Sequence, residues 1–128
     1  MSVGILIITH NNIGEQLLDT ARIMLGTCPL ETVSLAIHSD CDLETSINEA
    51  ESLVHSLDNG DGLLVLTDMY GSTPSNIANR LAKRNSVTVI SGVNLPMLIR
   101  VLNYPRLNLE QLADKACSGG HDGIMICK

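Results

Sequence analysis

Val3-Gly4-Ile5-Leu6-Ile7-Ile8-Thr9-His10 is a nearly unbroken aliphatic run that stops on a histidine. A strand covered by helices on both faces needs apolar side chains pointing both ways, so this run reads as a central parallel strand. Leu63 to Thr67 reads the same way, after the turn Asn59-Gly60-Asp61-Gly62. Thr32 to Ile37 differs, because Val33, Leu35 and Ile37 fall on one face of an alternating pattern that suits a sheet edge. Val87 to Ser91 supplies a fourth strand, and Gly123 to Cys127 is expected to supply a last one.

Helical patterns fill the intervals. Ile13, Leu17, Leu18, Ala21, Met24 and Leu25 form a stripe after Asn12, which with Glu15 resembles a capping box, and Gly26 ends it. Leu43, Ile47, Ala50, Val54 and Leu57 mark a second amphipathic helix from Asp42. Pro74 suits the first turn of a third, Asn94-Leu95-Pro96 opens a fourth, and Asn108 with Gln111 caps a fifth. Strands alternating with helices imply an α/β, doubly wound, mostly parallel sheet. The edge character of the second strand gives the order 2-1-3-4, with the C-terminal strand beside the fourth. Residues 1–128 read as a single domain.

Bulk properties narrow the function classes. The hydrophobic fraction is 45%, yet the chain has no Phe or Trp and only Tyr70 and Tyr104, so its core is aliphatic. A net charge of −6 opposes a broad nucleic-acid footprint. No apolar stretch reaches the roughly 18 residues of a membrane span, and the N-terminus lacks a basic signal-peptide region. A cytoplasmic chain is therefore expected. Cys28, Cys41, Cys117 and Cys127 have no zinc-type spacing and are expected to be reduced thiols. No metal or cofactor is expected.

In the order 2-1-3-4 the chain reverses direction between strands 1 and 3, where such sheets bind ligands at their carboxyl ends. His10 ends strand 1 and Asp68 ends strand 3, so residues far apart in sequence meet at one crevice. An aspartate that accepts a hydrogen bond from one imidazole nitrogen fixes the tautomer and leaves the other as a nucleophile. It also stabilises the positive charge that develops on the ring during attack on phosphorus. Gly71-Ser72-Thr73-Pro74 precedes the third helix, where backbone N–H groups, the helix dipole and the two hydroxyls favour an anion. The blander readings are a structural histidine, a solvated carboxylate and an ordinary helix cap. His38, His55 and His121 lie on separate elements without metal-ligand spacing and receive no role.

These residues carry a resemblance to the enzyme IIA components of the mannose-type, phosphoenolpyruvate-dependent sugar phosphotransferase system. The matching blocks are Ile5 to His10, Glu15 to Leu18 leading to Met24-Leu25-Gly26, Leu66 to Asn76, and Ile90 to Leu98. The resemblance implies that phosphorylated HPr gives its phosphoryl group to His10 at Nε2, that Asp68 holds Nδ1, and that a IIB component receives the group. It implies that Thr73 lies near the phosphoryl group. It also implies a homodimer with an antiparallel C-terminal strand exchanged between subunits. From the residues alone, an edge strand on the chain's own sheet fits equally. The chain departs from the family pattern in two places: Asn11 stands where glycine is usual, and Ser72-Thr73 replace Gly-Ser.

Other readings stay open at this stage. His10 phosphorylation can serve as a signal in an incomplete phosphotransferase system, without sugar transport. A non-phosphorylated flavodoxin-like binding module is a further alternative. A receiver domain with Asp68 as acceptor is disfavoured, since Thr9-His10-Asn11 replaces the acidic pair that holds Mg²⁺ there.

Overall fold

The computed structural model describes residues 2–84 and 86–128. Four parallel strands, β1 (Gly4–His10), β2 (Thr32–Ile37), β3 (Leu63–Thr67) and β4 (Val87–Ser91), form one sheet in the order β2-β1-β3-β4. The helices are α1 (Ile13–Leu25), α2 (Leu43–Leu57), α3 (Thr73–Leu81), α4 (Leu95–Leu102) and α5 (Leu109–Asp122).

The sheet's two faces explain the aliphatic runs. Ile5 and Ile7 of β1 join Leu64 and Leu66 of β3 in a core with Leu18, Leu98, Val101 and Leu112 from α1, α4 and α5. Leu6 and Ile8 point the other way and join Leu63 and Val65, closed by Ile47, Val54, Ile77 and Leu81 from α2 and α3. Both central strands are therefore buried on both faces, as their lack of alternation requires. In β2, Leu35 and Ile37 are buried and Ser34 and Ala36 only partly so, but Val33 is half-buried and Thr32 buried, so the expected alternation holds only in the second half of this edge strand.

Local signals hold at most helix ends. Asp42 accepts from the Thr45 N–H, Asn94 from the Met97 N–H, and Asn108 and Gln111 make a reciprocal capping box. Gly26 closes α1 at φ 72°. The expected Asn12–Glu15 box is absent. Asn12 has φ −94° and ψ 16°, not the extended backbone of a capping residue, and makes no side-chain cap bond. The buried Thr9 hydroxyl takes over and accepts from the Gly14 N–H at 2.8 Å.

The larger correction is at the C-terminus. No strand forms over Gly123 to Cys127, and among the described residues no strand pairs with the edge of β4 that faces away from β3. Helix α5 runs on through Gly119 and Gly120, whose missing side chains admit α4: a Cβ on Gly119 would lie 2.6 Å from Arg100 Cβ. The chain leaves that helix at Gly123 with Ile124, Met125 and Ile126 exposed. Short apolar sequence made the segment look like a strand, but a strand needs a partner edge, and within this chain it has none.

Gly62 shows how tightly the turn before β3 is drawn. Its φ is 85°, and a Cβ there would lie 2.7 Å from the Ser86 carbonyl oxygen, which also accepts from the Leu63 N–H. Gly62→Ala is expected to cost about 2–3 kcal/mol, from left-handed strain plus the clash. A urea midpoint equal to wild type would show that the turn relaxes without penalty.

Candidate functional site

Pairing places the key residues at the carboxyl end of the sheet. β1 and β3 run in register from Gly4↔Leu63 to Ile8↔Thr67, so His10 and Asp68 emerge side by side. One carboxylate oxygen of Asp68, Oδ2, accepts twice: from the His10 backbone N–H at 3.0 Å and from His10 Nδ1 at 2.8 Å. The other, Oδ1, accepts from the Met69 N–H at 3.0 Å. A carboxylate has no proton to give, so Nδ1 carries the hydrogen and Nε2 keeps its lone pair. The His10 side chain is 40% exposed and that of Asp68 only 13%, which leaves the ring accessible and its partner shielded.

Partial burial pushes the Asp68 carboxyl upward. The His10 backbone N–H, the ring hydrogen bond and the ring's charge outweigh it and hold the group below its usual range. A folded-state value below the unfolded one means stability fully present above about pH 4 and lost as pH falls through the folded value. Asp58 is lowered too, chiefly by the Gly60 N–H, and contributes in the same direction. Asp68→Asn should therefore flatten the acid limb of a urea-stability profile without abolishing it. An unchanged limb would show that the His10 bonds to Asp68 are not kept in solution.

Asn11, directly after His10, has φ 48°, the only positive φ on a non-glycine residue among the described residues. Asparagine tolerates this region better than most residues, so it can hold a turn that would otherwise favour glycine. Its N–H donates to the Ile37 carbonyl at 3.0 Å and extends the β1–β2 ladder past His10.

The loop after β3 divides its tasks. Ser72, not Thr73, caps α3 by position, with extended backbone at φ −90° and ψ 173°, so its Cβ brings no strain. The Ser72 hydroxyl is spent on the Met69 carbonyl at 2.5 Å, and the Gly71 N–H on Ser75 Oγ at 3.3 Å. Thr73 is the loop residue that reaches the crevice: it lines a cavity of about 320 Å³ with His10, Asn11, His38 and Cys41. Ile13, Leu43, Met69 and Tyr70 are exposed on the surrounding elements. A larger depression of about 590 Å³ between α4 and α5 is lined by Arg100 and Asp122, and neither His10 nor Asp68 reaches it.

His38 is the residue that sequence reasoning passed over. It follows β2 by one position, and the pairing His10↔Ile37 brings it beside the site. The order 2-1-3-4 already held that signal, because a residue ending strand 2 must neighbour one ending strand 1. His55 and His121 do not line this cavity.

The model of the family described as PTS system fructose IIA component, EIIA-man, matches residues 4–116. This chain belongs to the EIIA-man family. Within it, the chain is 33% identical over its whole length to the PTS system mannose-specific EIIAB component of Escherichia coli K12. It spans 40% of that relative's length. The mannose/sorbose-specific IIA subunit from Enterococcus faecalis superposes with a TM-score of 0.89 at 21% identity, covering 100% of this chain and 96% of that one. The phosphotransferase system component EIIA from Streptococcus agalactiae gives 0.82 at 25% identity, covering 97% and 96%. The family assignment and the 2-1-3-4 sheet thus agree with the reading of the strands. No helix among the described residues is long and apolar enough to cross a membrane.

Proposed function

We propose that this EIIA-man chain is a cytoplasmic phosphocarrier in which His10 Nε2 accepts a phosphoryl group from phosphorylated HPr and passes it to a IIB component. The observation that carries the reading is the hydrogen bond from His10 Nδ1 to Asp68 Oδ2 at 2.8 Å. It holds the proton on Nδ1, aims the Nε2 lone pair outward and offsets the charge that grows on the ring as the new bond forms. The donor's P–N bond breaks with its electron pair returning to the donor nitrogen, while Nε2 supplies the pair for the new bond. The proton on Nδ1 stays in place throughout. The rest is positioning and charge neutralisation.

Thr73 is the group of the Gly71-Ser72-Thr73 loop best situated to meet the phosphoryl oxygens, with the N-terminal field of α3 behind it. Gly71 and Ser72 act by shaping that loop through their contacts with Ser75 and Met69. The exposed apolar side chains around His10 suit docking of carrier proteins. The exposed Ile124-Met125-Ile126 run suits pairing with a second copy of the chain, in a homodimer that exchanges this segment.

Label transfer tests the relay. The chain, labelled with phosphoenolpyruvate, enzyme I and HPr and then freed of them, should lose its phosphoryl group within seconds to a mannose-type IIB domain. A labelled chain that never discharges to any IIB domain would count against transport and favour a signalling role for the phosphorylated state.

A further inference from the structure

We propose that His38 is a second phosphoryl-binding group of the His10 site, its imidazolium form neutralising the anion carried on His10 Nε2. The inference rests on the carrier reading of His10 and adds a residue to it. The cavity that would receive the anion is lined by His10, Asn11, His38, Ser39, Cys41 and Thr73, with Ile37 and Leu43. None of these is arginine or lysine. A phosphoryl group carries close to two negative charges near neutral pH. The end of a helix such as α3 offsets only about half of one. His38 is the one lining residue besides His10 that can become cationic.

Its ring is held for that task. His38 Nδ1 lies 3.1 Å from Asn11 Oδ1, an acceptor only, so Nδ1 carries the hydrogen and Nε2 is the nitrogen left free. The His38 carbonyl accepts from the Cys41 N–H at 3.0 Å, which closes the turn beneath the ring. Asn11 is thus both the left-handed residue after the nucleophile and the anchor of the second imidazole. The other titratable groups on the cavity are His10 from β1 and Cys41 from the turn after β2. Asp68 stands behind the His10 ring, and Asp40 and Asp42 belong to the turn that carries His38. Helix α3 presents Thr73 and α2 presents Leu43, neither of them charged.

The phosphorylation rate by HPr, followed by rapid quench and intact mass, tests this when each variant is divided by wild type at the same pH. His38 is exposed, so its substitution leaves the core alone. His38→Gln should lower the rate about tenfold at pH 6 and less than twofold at pH 9, because an imidazole in general gives up its charge between about pH 5 and 8. His38→Arg should restore the pH 6 rate and keep it at pH 9. A His38→Gln rate equal to wild type at pH 6 would overturn the proposal, as would an equal loss at both pH values. In either case a phosphorylated wild-type protein would leave the carrier reading standing. Failure of the wild type to take up any phosphoryl group would remove that reading, and the role of His38 with it.

Discussion

Replacing His10 by alanine should abolish HPr-dependent phosphorylation, with no acid-labile mass added under conditions that label the wild type fully. The expected effect is complete because no other side chain described as lining the cavity is a histidine hydrogen-bonded to a carboxylate. Asp68 is engaged through both oxygens, with Oδ2 bound twice by His10 and Oδ1 by the Met69 N–H. His38 is turned into the same cavity, but its Nδ1 is held by Asn11 and no carboxylate supports its ring in the way Asp68 supports His10. His10 is partly exposed, so its loss opens no core cavity and the variant should fold as the wild type does. Label retained on His10→Ala would place the acceptor elsewhere and refute the assignment.

Asp68→Ala should slow transfer by about 10²-fold, measured by rapid quench, while leaving His10 able to be labelled in long incubations. Removing the carboxylate frees the tautomer, withdraws the countercharge for the developing imidazolium and strands the His10 backbone N–H. Asp68→Asn keeps an oxygen that can accept but not the charge, so it should fall between the two. A rate unchanged in Asp68→Ala would mean that the carboxylate does not orient the ring.

Much of this architecture was legible because burial on both faces leaves a compositional mark. Ile5 to Ile8 and Leu63 to Leu66 lack alternation since their neighbours lie above and below, and that alone placed them at the centre of the sheet. The alternation of Val33, Leu35 and Ile37 placed β2 at an edge, from which the meeting of His10 and Asp68 followed. Less legible were features that depend on what a segment touches. Asn12 had a capping residue's chemistry but not its backbone, and Thr9, three residues earlier, supplied the acceptor. Ile124 to Cys127 had a strand's composition without a strand's partner. His38 carried no local motif at all, and only the register of β1 against β2 brings it beside the site.

Asn11 has two structural tasks beside His10. Its φ of 48° preserves the turn that glycine would make, and its side chain adds an acceptor that glycine lacks. One residue therefore sets the turn after His10 and anchors a second imidazole beside it.

The central claim is that phosphorus bonds to Nε2 of His10 while Nδ1–H stays with Asp68. Nitrogen–phosphorus coupling in ¹⁵N-labelled protein, recorded after phosphorylation through HPr, reads this directly. The expected result is coupling at Nε2 of one histidine, absent in His10→Ala. Coupling at Nδ1, or at a different histidine, would contradict the account.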